Sequence, residues 1–433
     1  MIDNLRSSNN SVIHKLFISI IAVFSGLVAN AQQTYTNKIF SENIRSAQVY
    51  PQGNKIGYPF LELGSTIGLE FHFDETGSSY ETYNFGVIHC DNLWRRSDLD
   101  YSEYLQGFPF TRIDDLNNSF NTLEEYVHYS FVFPNDMMMP RYSGNYLMVV
   151  FDGTDINDES SWLLTYRFIV YENQIGIRAR VQPSSIIAQR FKSQDVSFIL
   201  SHPNFNIIDP QRDLNVTLIQ NMNWKSARNN LKPLFIKPGE LSFEYTGGEN
   251  TFSGGNEYRS FEMKSLRYVS NEVDNITRED DGYHVYLRTD FPQAGKAQSS
   301  GIDINGNWLI RNDEADDSDL EAEYVWVHFK LQMAEIPETE IVVEGRFTEF
   351  DSTPAKCTYD AAQKAYVCKK LIKQGYYNYR FAAYDIYQAL ESVQYTEGNQ
   401  STTENDYHIL VYMYDRNLDC DRIIGLEGSN SVK

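Results

Sequence analysis

The chain has 433 residues, 42% hydrophobic, 14% aromatic and 22% charged, a balance that supports a well-filled core and excludes a disordered chain or a bundle of membrane helices. Its 30 Tyr and 26 Phe favour strands, where rings pack on a pleated surface, and the length corresponds to about three domains at roughly 100 to 150 residues each. With 37 basic against 59 acidic residues the net charge is -22, which repels phosphate backbones and anionic lipid and excludes a general nucleic-acid or membrane-surface binder.

His14 and Lys15 precede an apolar run at 16–28 that ends in Ala29, Asn30 and Ala31, the pattern of a secretory signal over residues 1–31 with cleavage before Gln32. The run is shorter than the ~20 residues that span a bilayer, and no later stretch comes close. No Cys stands at the cleavage point to carry a lipid. A soluble periplasmic protein is expected. Loss of Arg6, Lys15 and Asp3 with the leader takes the net charge to -23.

Strand-like segments follow at 60–73, 83–90, 126–133, 144–151 and 162–171, separated by Asn, Asp, Pro and Gly clusters; this spacing predicts a first β-sandwich over 32–173. Segments at 175–181, 196–201, 214–220, 234–236, 258–266 and 283–287 predict a middle sandwich over 174–322. Asp313, Glu314, Asp316, Asp317, Asp319, Glu321 and Glu323 crowd one short stretch, which reads as a solvated loop because like charges repel. Segments at 324–331 and 341–347, the Cys357/Cys368 hairpin, and segments at 375–383 and 407–414 predict a third sandwich over 323–433. The fold class is therefore all-β, with tandem immunoglobulin-like sandwiches and no solenoid period, heptads or long amphipathic helix.

Export gives meaning to the cysteines, since disulfides persist in an oxidising compartment. Cys357 and Cys368 flank the polar turn Asp360, Ala361, Ala362, Gln363 and Lys364. A symmetric hairpin sets Cys357 against Cys368 and Tyr359 against Tyr366, with opposed Cβ atoms about 4.5 to 5.5 Å apart. A disulfide is expected there, two inert thiols being the alternative. Cys90 and Cys420 are distant in sequence and are expected to stay reduced.

Motifs for catalysis are missing from the sequence: there is no Gly-x-Ser-x-Gly elbow, no paired His of a zinc protease, and no Gly-rich phosphate loop opening a helix. His72, His89, His128, His202, His284, His328 and His408 each stand alone in their segments and read as structural or surface residues. Asp415, Asn417, Asp419 and Asp421 alternate like oxygen ligands of a calcium loop, but its sixth and twelfth positions are Cys420 and Leu426 in place of Gly and Glu. A solvated turn is expected. Carboxylate pairs for glycoside hydrolysis depend on separation in space, so an acidic composition is not specific for them. No cofactor and no metal site is read from the sequence, and the protein is expected not to be an enzyme.

The segment from His89 to Phe108 mixes aromatic, acidic and basic residues where turn character is strong, as protein interfaces and sugar sites do. His89, Asp91, Trp94, Asp98, Tyr104 and Phe108 are its candidate interface residues. The bland reading is a packed connection in which Trp94 fills the first sandwich and Asp91 and Asp98 cap turns. In a second segment, 373–381, alternation puts Tyr377, Tyr379 and Phe381 on one face and Tyr376 and Asn378 on the other, which leaves Tyr376 as the candidate contact.

Several stretches read together resemble the plug protein family of the type IX secretion system of Bacteroidota. They are Ile88-His89-Cys90-Asp91 with Trp94, Ser97-Asp98-Leu99, Glu103-Tyr104-Leu105, Gly107-Phe108, Asn118-Ser119-Phe120-Asn121-Thr122 and Tyr126-Val127-His128-Tyr129. Ser143-Gly144-Asn145-Tyr146, Val170-Tyr171-Glu172, Asp303-Ile304-Asn305-Gly306, Lys373-Gln374-Gly375-Tyr376-Tyr377-Asn378-Tyr379 and Thr403-Glu404-Asn405-Asp406-Tyr407 continue the series over nearly the whole exported chain. The resemblance implies a non-enzymatic periplasmic protein of β-sandwich domains that closes the periplasmic opening of the outer-membrane translocon barrel. The Cys357/Cys368 pair is not part of the family pattern and bears on stability alone. The rival reading is a periplasmic or surface carbohydrate-binding protein, because the part of the third domain from Val342 to Tyr379 looks like the early-set immunoglobulin-like modules that bind glucans or sit beside them.

Overall fold

The computed structural model describes residues 33–77, 80–296, 303–349, 355–385, 387 and 391–432; the leader expected at 1–31 lies outside these residues. Two sheets form the first sandwich. One runs in the order Lys38–Ile39, Trp162–Tyr171, Gly144–Phe151, Asn84–Cys90, Phe110–Arg112, with Phe60–Glu62 added in parallel to Trp162–Tyr171. The other runs Ile44–Pro51, Leu69–Thr76, Tyr126–Phe133, Asp115–Asn118. Alternation decides the inner face: Leu69, Phe71 and Phe73 are buried, while Glu70 and His72 between them are only partly covered. Phe71 stacks on Phe131 at 5.1 Å within its own sheet and meets Phe168 of the facing sheet edge-on at 5.7 Å, the offset and T-shaped geometries that ring quadrupoles favour.

The middle sandwich sets the sheet Gly176–Pro183, Ser193–Ser201, Glu240–Phe243, Phe235–Lys237, with Thr251–Ser253 also paired to Ser193–Ser201, against Arg228–Leu231, Leu214–Gln220, Asp406–Asp415, Cys420–Asn430. The third is a curled sheet in the order Arg259–Glu262, Gly375–Asp385, Thr339–Glu344, Lys356–Asp360, Ala365–Lys373, Tyr324–Gln332, Gly282–Leu287, Val273–Glu279. Its two halves face each other across a core that includes Phe261, Tyr377 and Phe381 from one side and Val285, Val327 and Phe329 from the other.

Sheet membership does not follow the linear division expected at 322/323. Strands Arg259–Glu262, Val273–Glu279 and Gly282–Leu287 pair into the third sheet, and Asp406–Asp415 and Cys420–Asn430 complete the middle sandwich. The strand Asp406–Asp415 aligns with Leu214–Gln220 from Leu214↔Met413 to Gln220↔Tyr407. Such nonlocal pairing joins segments nearly 200 residues apart and leaves no mark on local alternation.

The sandwiches are joined by buried surfaces. Strand Gly144–Phe151 is covered on both faces. Tyr146, Met148 and Val150 point into the first core, and Leu147, Val149 and Phe151 pack with Ile219, Leu410, Tyr412 and Ile423 of the middle sandwich. Between the first and third, Lys373 Nζ lies 2.6 Å from Asp74 Oδ2 with both side chains almost fully buried. Tyr324 donates to the same carboxylate at 2.6 Å and His128 Nδ1 sits 2.6 Å from Oδ1. Burial would raise the Asp74 carboxyl, but the Lys373 ammonium and His128 outweigh it and hold it below the usual carboxylate range.

The acidic stretch at 313–323 is only in part the solvated loop expected: Asp313, Glu314, Asp316 and Asp317 are exposed, whereas Asp319 and Glu321 are half-buried and Glu323 is buried. It contains the short helix Ser318–Glu321 and docks on the first sandwich: Glu323 accepts from the backbone N–H groups of Leu123 at 2.6 Å and Glu124 at 3.1 Å, and Lys55 grips Asp319 at 2.9 Å. At Asp319 and Glu323 a counter-charge and backbone donors from another domain offset the repulsion that sequence alone implies. Cys357 and Cys368 are joined, with Tyr359 opposite Tyr366, and Cys90 and Cys420 are free and buried. Asp415 to Cys420 forms the turn of a hairpin, with Asp415 accepting from Asn417 N–H at 2.9 Å. Four of the histidines, single in sequence, meet in space, His72 with His128 at 3.1 Å and His284 with His328 at 2.8 Å.

Candidate docking interface

The segment 89–108 leaves the first sandwich at the end of Asn84–Cys90 and divides into a buried half and an exposed half. Asp91 closes the first turn by accepting from the N–H groups of Leu93 and Arg95, each at 2.9 Å, and pairs with the Arg95 guanidinium at 2.6 Å. That turn holds Trp94 at a φ of 62°, a left-handed conformation unusual for a bulky residue. Its ring meets Trp224 edge-on at 4.9 Å and lies beneath the Arg167 guanidinium at 4.6 Å. Trp94 is 3% exposed. It is no surface anchor, nor does it fill the first sandwich: it belongs to the core shared by the first and middle sandwiches. Asn92 strengthens this joint, its N–H donating to Asp421 at 3.0 Å and its amide to Asn230 at 2.9 Å.

His89 is also buried. Its Nδ1 lies 3.0 Å from the Ser97 hydroxyl, and burial pulls its pKa down to about 4, so the ring is neutral at physiological pH. Tyr104 ends the short helix Tyr101–Tyr104, whose start is capped by Asp100; it is buried and donates to the Val87 carbonyl at 3.1 Å. Three of the candidate residues are therefore structural. A large side chain with a polar tip reads the same in sequence whether it plugs a joint or meets a partner.

Beyond Tyr104 the chain emerges as a two-stranded ribbon, Leu105–Gly107 against Met138–Pro140. Gly107 has a φ of 104° and runs so close to its partner that a Cβ would come within 2.0 Å of the Met137 carbonyl oxygen, so only Gly fits. Phe108 N–H donates to that carbonyl at 2.9 Å. Leu105 and Met138 pin the ribbon to the first core. Phe108, Met137 and Met139 stand 56%, 45% and 47% exposed at its tip, forming an apolar cluster on a fixed backbone, with Asp98 and Tyr101 also exposed on the segment leading to it. Phe108 and Asp98 are thus the candidates that reach solvent, and Asp91 is half-buried in its turn.

Met137 and Met139 escaped the sequence reading. Their signal was the run Met137-Met138-Met139: in a strand the middle residue faces one way and its neighbours the other. Tyr376 is half-buried on the outer face of the third sheet beside Lys264, whose Nζ lies 5.9 Å from its ring, and Tyr377, Tyr379 and Phe381 are core. It lies on a different domain from the ribbon. The ribbon tip presents two soft thioethers and a phenyl ring to solvent.

Over residues 44–172 the chain matches the family model described as the type 9 secretion system plug protein 1st domain. Among solved structures it is similar to a hypothetical protein from Parabacteroides merdae at 32% identity and a TM-score of 0.87, covering 92% of this chain and 100% of that one. A trypsin-activated alpha-2-macroglobulin from Escherichia coli aligns at 8% identity with a TM-score of 0.17, covering 89% of this chain and 28% of that one, and carries no argument. No curated protein matches.

Proposed function

The chain belongs to the type 9 secretion system plug protein family, and on that premise we propose that it closes the periplasmic opening of the system's outer-membrane translocon barrel by binding, without chemistry. The observation that carries this reading is the welding of the three sandwiches. A stopper for a wide pore must resist deformation, and here the joints between domains are themselves cores: the apolar cluster around Leu147 and Tyr412, and the buried Asp74/Lys373 pair. Domains meeting through small polar contacts would move against one another.

The contact we assign to the barrel includes the ribbon tip of Phe108, Met137 and Met139, with Asp98 beside it and Tyr376 as a second point. A modest apolar anchor with a charged rim gives an interface that holds yet releases. The net charge of -23 left after loss of the leader keeps the free protein soluble in the periplasm and lets basic residues at the barrel mouth steer it into place. Association with the outer membrane is through this partner.

Deleting the gene tests the proposal. The outer membrane should become permeable to large antibiotics while the translocon is present and stay tight when the translocon is deleted as well. If the single deletion causes no leak and the protein never co-purifies with the barrel, plugging is refuted and the carbohydrate-binding alternative takes its place.

A further inference from the structure

Two of the sequence stretches singled out above, Asp303-Ile304-Asn305-Gly306 and Thr403-Glu404-Asn405-Asp406-Tyr407, converge on one cavity, although Asn305 and Asp406 are 101 residues apart. The cavity has a volume of about 480 Å³ and is lined by Tyr58, Glu257, Asp303, Asn305, Glu404 and Asp406 among others. All three sandwiches meet there. Tyr58 comes from the first, Glu404 and Asp406 lead into the strand that completes the middle one, and Glu257 and Asp303 flank strands of the third.

Glu257, Asp303 and Glu404 each offer a carboxylate oxygen, and these oxygens lie within 4.8 Å of one another. The backbone fixes two of the groups. Asp303 accepts from Asn305 N–H at 2.8 Å and from Tyr258 N–H at 2.5 Å, and Glu257 accepts from Glu404 N–H at 3.0 Å.

Crowded carboxylates alone do not make a site. The independent observation is Asn305, which is 5% exposed. Its carboxamide sits in the cavity wall, with Nδ2 donating to Glu404 at 3.3 Å and to Asp406 at 3.0 Å, while its carbonyl oxygen Oδ1 is buried with no hydrogen-bond partner among the described residues. An orphaned buried carbonyl is costly, and a cation relieves both that cost and the carboxylate repulsion at once.

We propose that Glu257, Asp303, Glu404 and the Asn305 side-chain oxygen bind a calcium ion at the point where the three sandwiches meet. The ligand set is all oxygen, which selects a hard cation over zinc or copper. A partly open cavity leaves room for the waters that complete the six to eight ligands calcium accepts, whereas magnesium demands a tighter octahedral cage.

The test uses the exported protein, stripped with a chelator and titrated with CaCl2 alone. One ion should bind, with a Kd in the range of about 0.1 to 1 mM seen in extracellular modules, and saturating calcium should raise the Tm. Asp303→Asn and Asn305→Ala should each weaken binding about tenfold or more. Tb3+ should bind the unmutated protein, emit on tyrosine excitation and be displaced by calcium, a readout that holds even if a variant fails to fold. Absence of saturable calcium binding and of Tm shift in the unmutated protein overturns the proposal, as does binding left unchanged in folded variants.

Discussion

Replacing Lys373 by Met should loosen the joint between the first and third sandwiches more than any surface change. The Lys373 ammonium and the Asp74 carboxylate are 0% and 1% exposed and 2.6 Å apart, so removing the cation leaves a carboxylate stranded in a site that water does not reach. Breaking a buried pair in this way costs about 3 to 5 kcal/mol. Tyr324 and His128 still bond to Asp74 and hold the loss near the lower end, about 3 kcal/mol by the same reasoning. The ammonium also donates to the Asp319 carbonyl at 2.7 Å and lies 4.0 Å from the Tyr126 ring centre, so Met keeps the stem's packing while losing these polar contacts. Urea unfolding followed by domain-specific fluorescence should show the third sandwich melting ahead of the first. Adding Asp74→Asn to Lys373→Met should cost much less than the sum of the two single changes, because the stranded charge is then gone. Additive losses, or a Lys373→Met loss below about 1 kcal/mol, would refute a coupled buried pair.

Stability should fall on acidification. His89 and His408 are buried, and burial takes both from 6.5 to about 4; the unfolded chain therefore binds more protons between those values, and the stability present at neutral pH is lost as pH drops through that window. From pH 7 to 5 each should cost about 2 kcal/mol, and His408→Gln should flatten the pH dependence measured by denaturation. Reducing the Cys357–Cys368 bond, which closes a loop with a sequence separation of 11, should destabilise the third sandwich by about 2 to 3 kcal/mol; an unchanged midpoint under reductant would count against it. Trp94→Ala should cost about 3 to 5 kcal/mol through the emptied joint, whereas Phe108→Asp should leave the Tm within error and abolish co-purification with the barrel. The reverse pattern would exchange the roles assigned to these two residues.

Local patterning carried a good deal of this protein. Alternation at Leu69, Phe71 and Phe73 identifies a half-buried strand because side-chain direction repeats every two residues whatever the rest of the chain does. The same logic sets Tyr359 against Tyr366 across their short turn, and separates Tyr376 from the core residues Tyr377 and Tyr379. The resemblance to the plug family rests likewise on residue types and order. What the tertiary structure alone decided is which surfaces are covered. The strand at 406–415 has the same alternation wherever it pairs, and only its long-range register puts it in the middle sandwich. Trp94 and Phe108 sit in one turn-rich segment with similar neighbours, yet the first is sealed by Trp224 and Arg167, arriving from distant parts of the chain, and the second stands free on its ribbon. Asp319 and Glu323 look solvated until Lys55 and the backbone at 123–124 arrive from the first sandwich. Burial and charge compensation are properties of neighbours in space, and a sequence specifies those neighbours only through the whole fold.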